Sequence, residues 1–157
     1  MALGALLMVL VLLAVAAFSP WITPADPFAS SMLKRLRPIG TDGFPLGTDE
    51  LGRDLFARIA FGGRYSLTIA LLTALGSVVA GTLFGLAAGF FRRLDAPVMR
   101  VVDAMMSFPD ILLAIALVAI WGGGLLTVIL AIVVPDVPRV VRLVRSVVLS
   151  VREEPYV

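Results

Sequence analysis

Four long apolar stretches, separated by polar connectors, set the plan of the chain. Residues 2–22 carry no charged side chain and match the roughly 20 apolar residues a helix needs to cross a bilayer, so 1–23 is expected to form a first transmembrane helix. A cleavable signal peptide is the alternative, with Ala14-Val15-Ala16 as a small-residue cleavage site, but no basic leader precedes the run and the run is long for that purpose. The missing leader also points to Met1 not being the native start. Residues 24–64 turn polar and are punctuated by Pro24, Pro27, Pro38, Pro45, Gly40, Gly43 and Gly47, the composition of an extended extramembrane connector. At its end, residues 50–61 place Leu51, Leu55, Phe56 and Ile59 on one helical face, away from Arg53, Asp54 and Arg58. That pattern predicts a short amphipathic helix on the membrane surface or against a partner, broken by Gly62-Gly63.

Residues 65–157 hold three further helices. The second span, 65–91, has Gly81, Gly85 and Gly89 at intervals of four, a single face that admits another helix at close range. The third, 98–121, contains Arg100, Asp103, Pro109 and Asp110. Arg100 and Asp103 are spaced to pair on one face, whereas Asp110 follows a proline that removes a backbone donor. Acids at membrane depth avoid lipid, so Asp103, Asp110 with its neighbour Pro109, and the later Asp136 are candidates for a bundle-facing or path-facing surface; for Asp103 an interfacial residue paired with Arg100 is the alternative. After Gly122-Gly123-Gly124 a fourth apolar run is expected to break at Pro135-Asp136-Val137-Pro138 and to resume with Arg139, Arg142 and Arg145 along one stripe. Anchoring to anionic headgroups is the simplest account of that stripe.

Composition strengthens this plan. Sixty per cent of the 157 residues are hydrophobic, more than one soluble core of this length hides. The fold class is therefore all-α integral membrane protein with about four transmembrane helices. A net charge of +2 with scattered basic residues leaves no surface of the kind that binds nucleic acid. With no Cys and no His, thiol and imidazole chemistry and the zinc sites built on them are excluded. No catalytic, cofactor or metal residues are assigned. Basic residues divide almost evenly between the two sides of the membrane, but the short connectors weigh more and favour an inside N-terminus.

The string Leu46-Gly47-Thr48-Asp49-Glu50-Leu51-Gly52-Arg53-Asp54 ahead of a span resembles the signature of permease subunits of ABC importers for dipeptides, oligopeptides and nickel. Further matches follow in order: 94–95 through 99–103 to Ser107-Phe108-Pro109, the glycine turn, and Arg142-Leu143-Val144-Arg145 leading to Arg152-Glu153-Glu154-Pro155-Tyr156-Val157. The resemblance implies the N-terminal part of a MetI-like permease fold in a prokaryotic inner membrane. It implies partners too: a second permease subunit, cytoplasmic ATP-binding subunits and an extracytoplasmic solute-binding protein. Arg142, Arg145, Glu153, Glu154 and Tyr156 would lead towards the ATPase contact, and the family's coupling loop would follow Val157, so the chain is expected to be a truncated or split form. Within the signature, Gly47, Thr48, Asp49, Gly52, Arg53 and Asp54 are expected to make a turn and a helix start, with Thr48 or Asp49 as the cap and an Asp54–Arg58 pair; direct substrate contact is the alternative. Two other readings stand beside the importer: a channel of several copies with Asp110 and Asp136 as carboxylate rings, and a structural membrane subunit.

Overall fold

The computed structural model describes residues 2–23 and 25–152. Its regular elements are helices: α1 (Ala2–Ala17), α2 (Ser19–Ile22), a 3-10 turn (Met32–Lys34), α3 (Leu55–Phe90), α4 (Arg92–Met106), α5 (Asp110–Trp121) and α6 (Leu125–Arg152). They fall into two compact units, one up to Thr68 and one from Ile69 onward.

In the first unit, α1 is apolar throughout and α2 closes with the Thr23 hydroxyl donating to the Ser19 carbonyl at 3.0 Å. The connector folds into hydrogen-bonded turns rather than an open strap. Ser31 N–H donates to Leu51 O (3.1 Å), Leu36 N–H to Asp49 O (3.2 Å) and Thr48 N–H to Arg37 O (3.2 Å), so residues 31–37 lie along residues 48–51. The amphipathic helix expected over 50–61 is not a separate element. α3 starts only at Leu55, because Asp49 turns the preceding residues, and it passes through Gly62-Gly63 without a break. A glycine inside a helix costs only about 1 kcal/mol, and here close packing offsets it: a Cβ at Gly63 would lie 3.3 Å from the Ala16 Cβ of α1.

In the second unit the remainder of α3 packs on α6. A Cβ added at Gly81, Gly85 or Gly89 would meet the Cβ of Val140, Val144 or Val148 at 2.4, 2.7 and 2.7 Å. Residue numbers rise together along both helices, so α3 and α6 run parallel and the valines sit over the bare glycine face. α4 and α5 also pack on α6. The stretch 98–121, expected as one helix, is two. α4 begins at Arg92, and α4 and α5 meet at 91°, since Pro109 is extended (ψ 130°) and lacks the donor to continue α4. The expected break at 135–138 does not occur. Pro135 and Pro138 lie inside a continuous α6, Pro138 fully buried. Their ring geometry is compatible with a helical φ, and each proline removes one donor and crowds the carbonyl four residues back, a cost packed membrane helices tolerate.

Among the described residues α3 alone is long and apolar enough to cross a membrane; the bent pair α4 and α5 qualifies only when taken as one span, and α1 is apolar but shorter.

Candidate functional site

A ladder of ion pairs joins α4 and α5 to α6. Asp95 takes both nitrogens of the Arg145 fork, Nε to Oδ1 at 2.5 Å and Nη2 to Oδ2 at 2.7 Å. One step further along, Arg142 Nη2 donates to Asp103 Oδ1 at 2.6 Å. At the far end Arg139 pairs with Asp110, and Asp136 Oδ1 lies 3.7 Å from its Nη1. Acids ascend the sequence as arginines descend, the register of antiparallel neighbours. The arginines, three apart, span about 9 Å of helix at 1.5 Å per residue. The acids are seven or eight apart, and the long guanidinium arms fan out to reach them.

This row sits at the surface of the chain. Side chains of Asp103, Asp110, Arg139 and Arg142 remain between 47% and 61% exposed, whereas Asp95 and Arg145 are near 30%. Charged groups avoid hydrocarbon, so where the row enters a bilayer it needs protein or water against it. A cavity of about 230 Å³ opens at the same place, with Asp110, Asp136, Arg139 and Pro135 in its wall. The expected Arg100–Asp103 pair does not form: Asp103 takes Arg142 from the facing helix, and Arg100 makes no ion pair among the described residues. An i,i+3 pair is worth only a few tenths of a kcal/mol, too little to compete with a charge-assisted bond from a packed neighbour. Asp95 went unassigned in the sequence. Its signal was the two-turn spacing of Asp95, Asp103 and Asp110, matched by three later arginines.

The signature segment forms a second, self-satisfied cluster. Gly47 and Gly52 have φ of +76° and +71°, and a Cβ there would lie 2.3 Å from Arg37 O and 1.9 Å from Ser31 O, so both require glycine. Thr48 Oγ1 accepts from Arg37 N–H at 2.8 Å and donates to Lys34 O. Asp49 Oδ1 accepts from Leu51 N–H (2.9 Å) and Arg53 N–H (3.0 Å), while Oδ2 takes Arg53 Nε (2.8 Å) and Arg58. The Arg53 amide, above all, with the Arg53 guanidinium and the Leu51 amide, holds the Asp49 carboxyl down at about 2, against a partly opposing desolvation. Neither Thr48 nor Asp49 caps α3. Asp54 does, its Oδ1 accepting from Phe56 N–H at 2.9 Å and Ala57 N–H at 3.4 Å, which leaves Arg58 to Asp49 in place of the expected Asp54–Arg58 pair.

Glu153, Glu154 and Tyr156 lie outside the described residues. Among the described residues no group of three or more acids is gathered as a metal site would need.

These features define a helical membrane protein whose polar chemistry, among the described residues, is concentrated in one interhelical ladder and one hydrogen-bonded loop. Residues 77–157 match the family described as binding-protein-dependent transport system inner membrane component, and the chain belongs to that family. It is 44% identical over 98% of its length to a putative peptide transport system permease protein of Brucella suis, covering 51% of that protein. It is 42% identical over 99% of its length to a di/tripeptide transport system permease protein of Pseudomonas aeruginosa, covering 54%. A probable D,D-dipeptide transport system permease protein of Escherichia coli is 39% identical, with 98% of this chain and 51% of that one aligned. The chain spans about half the length of the curated relatives it matches.

Proposed function

We propose that the chain serves as part of a permease subunit of an ATP-driven importer for peptides, with nickel-type solutes as the wider class, and that the Asp–Arg ladder lines or borders the translocation path. The exposed ladder carries this reading: three cross-helix ion pairs in a membrane chain whose relatives are named as peptide permeases. Four spans are formed by α1, α3, the bent α4–α5 pair and α6, with the N-terminus inside and the connector outside. A second permease covers the far side of the path, a solute-binding protein meets the connector, and ATP-binding subunits engage the region reached through Arg142, Arg145, Glu153, Glu154 and Tyr156. This chain hydrolyses nothing. In alternating access the α3–α6 pair, locked by Gly81, Gly85 and Gly89, rocks as one body while the α4–α5 elbow at Pro109 adjusts.

Proteoliposomes holding the complete complex should accumulate a labelled dipeptide only with both ATP inside and binding protein outside. Cation flux through the chain alone, with no need of ATP, would instead favour a channel in which Asp110 and Asp136 attract the ion.

A further inference from the structure

At the ends of α3 and α6 the second unit holds a basic cavity of about 310 Å³, lined by Ala88, Gly89, Arg92, Asp95, Arg145 and Arg152. Asp95 is engaged through both oxygens by Arg145, so those two charges cancel. Arg152 donates to the neutral Gly89 carbonyl at 2.8 Å, and Arg92 makes no ion pair among the described residues. Among the described residues, two guanidinium charges are thus left in the wall without an acid partner. α4 starts at Arg92, and the positive end of its dipole is set against the negative ends of α3 and α6 at the same cavity, so the guanidinium forks carry the charge of the site. A second cavity adjoins through Arg92, lined by Phe90, Phe91, Arg93 and Leu94. Phe90 and Phe91 meet edge to face and are 67% and 57% exposed.

Depth decides what such a cavity takes. α3 is the membrane-length helix, and its charge-free stretch runs from residue 65 to its end at Phe90, just ahead of Arg92 and Arg93, so the cavity lies where hydrocarbon gives way to headgroups. Guanidinium forks match phosphate oxygens, and basic pockets between membrane helices suit anionic headgroups. We propose that this cavity binds the phosphate of an anionic phospholipid, with Arg92 and Arg152 on its oxygens and Phe90 and Phe91 along its acyl chains. The site needs only that α3 spans the bilayer, so it does not depend on the transport reading.

The test is native mass spectrometry of the full chain from micelles doped with phosphatidylglycerol or phosphatidylcholine. One phosphatidylglycerol should be retained in preference to phosphatidylcholine, and its affinity should fall about tenfold or more in Arg92→Gln/Arg152→Gln, at about 1 kcal/mol per basic contact. Arg35→Gln/Arg37→Gln, which removes the same charge from the connector, should keep the lipid. Arg92→Lys retains charge without the fork and should give an intermediate affinity, which separates recognition from misfolding. Equal losses in the two double variants would show attraction to net charge alone and overturn the site. Displacement by inorganic phosphate would reassign it to a free anion, and protection of an Arg92→Cys thiol by the ATP-binding subunits but not by lipid would reassign it to a protein interface.

Discussion

Gly52 admits no side chain: its φ is +71° and a Cβ would stand 1.9 Å from a backbone carbonyl. Gly43 shares the positive φ (+80°) but has open space around it. Gly52→Ala should therefore destabilise the connector by more than about 2 kcal/mol, and Gly43→Ala by about 1 kcal/mol. Limited trypsin digestion reads this directly, because Lys34 and Arg35 lie on the segment that Gly52 approaches; equal cleavage rates in the two variants would contradict it. Asp49 gives the connector a pH limit. Its folded value, about 2, lies below the ordinary 3.8, so its stabilisation is complete above about pH 4 and is lost as the pH falls through about 2. Asp49→Asn should remove that acid transition, read by pepsin cleavage of the connector across this pH range. The motif itself was legible as a string. Which of its polar residues capped α3 was not, because Thr48, Asp49 and Asp54 are all good caps and only the turn imposed by Gly47 and Gly52 selects the last.

At the scale of elements, helix existence was plain from the apolar runs and the four-residue glycine period named the face of α3 that meets α6. Breaks were read less well. Gly62-Gly63, Pro135 and Pro138 carry unfavourable intrinsic helix propensity, yet propensity is a weak prior that packing overrides, and both α3 and α6 run on. Gly85→Leu should drive a side chain into Val144, whose Cβ is 2.7 Å from the added atom, costing about 1–3 kcal/mol. A lowered unfolding midpoint in detergent, partly restored by Val144→Ala, is the expected result; an unchanged midpoint would separate α3 from α6. The ladder was half legible. Its acids and arginines were each picked out, apart from Asp95, but pairing across 29 to 50 residues depends on the elbow at Pro109, which no local pattern fixes. Because Asp103 and Arg142 are about half exposed, Arg142→Ala should cost under about 1 kcal/mol of stability while impairing transport far more.

For the whole molecule, family membership and the α3 span fix a membrane setting, and the ladder supplies a polar surface that the described helices do not hide from lipid by themselves. On the proposed reading, a path bordered by these pairs would present a carboxylate and a guanidinium together to a zwitterionic peptide, without a net field that would trap either terminus. The most direct measurement is uptake of a labelled dipeptide by cells in which the gene for this chain is deleted and then restored in variant forms. Deletion should abolish uptake, the wild-type allele should restore it, Arg142→Asp should not, and the reciprocal Asp103→Arg/Arg142→Asp pair should recover a substantial fraction. Unchanged uptake after deletion would contradict the permease reading outright.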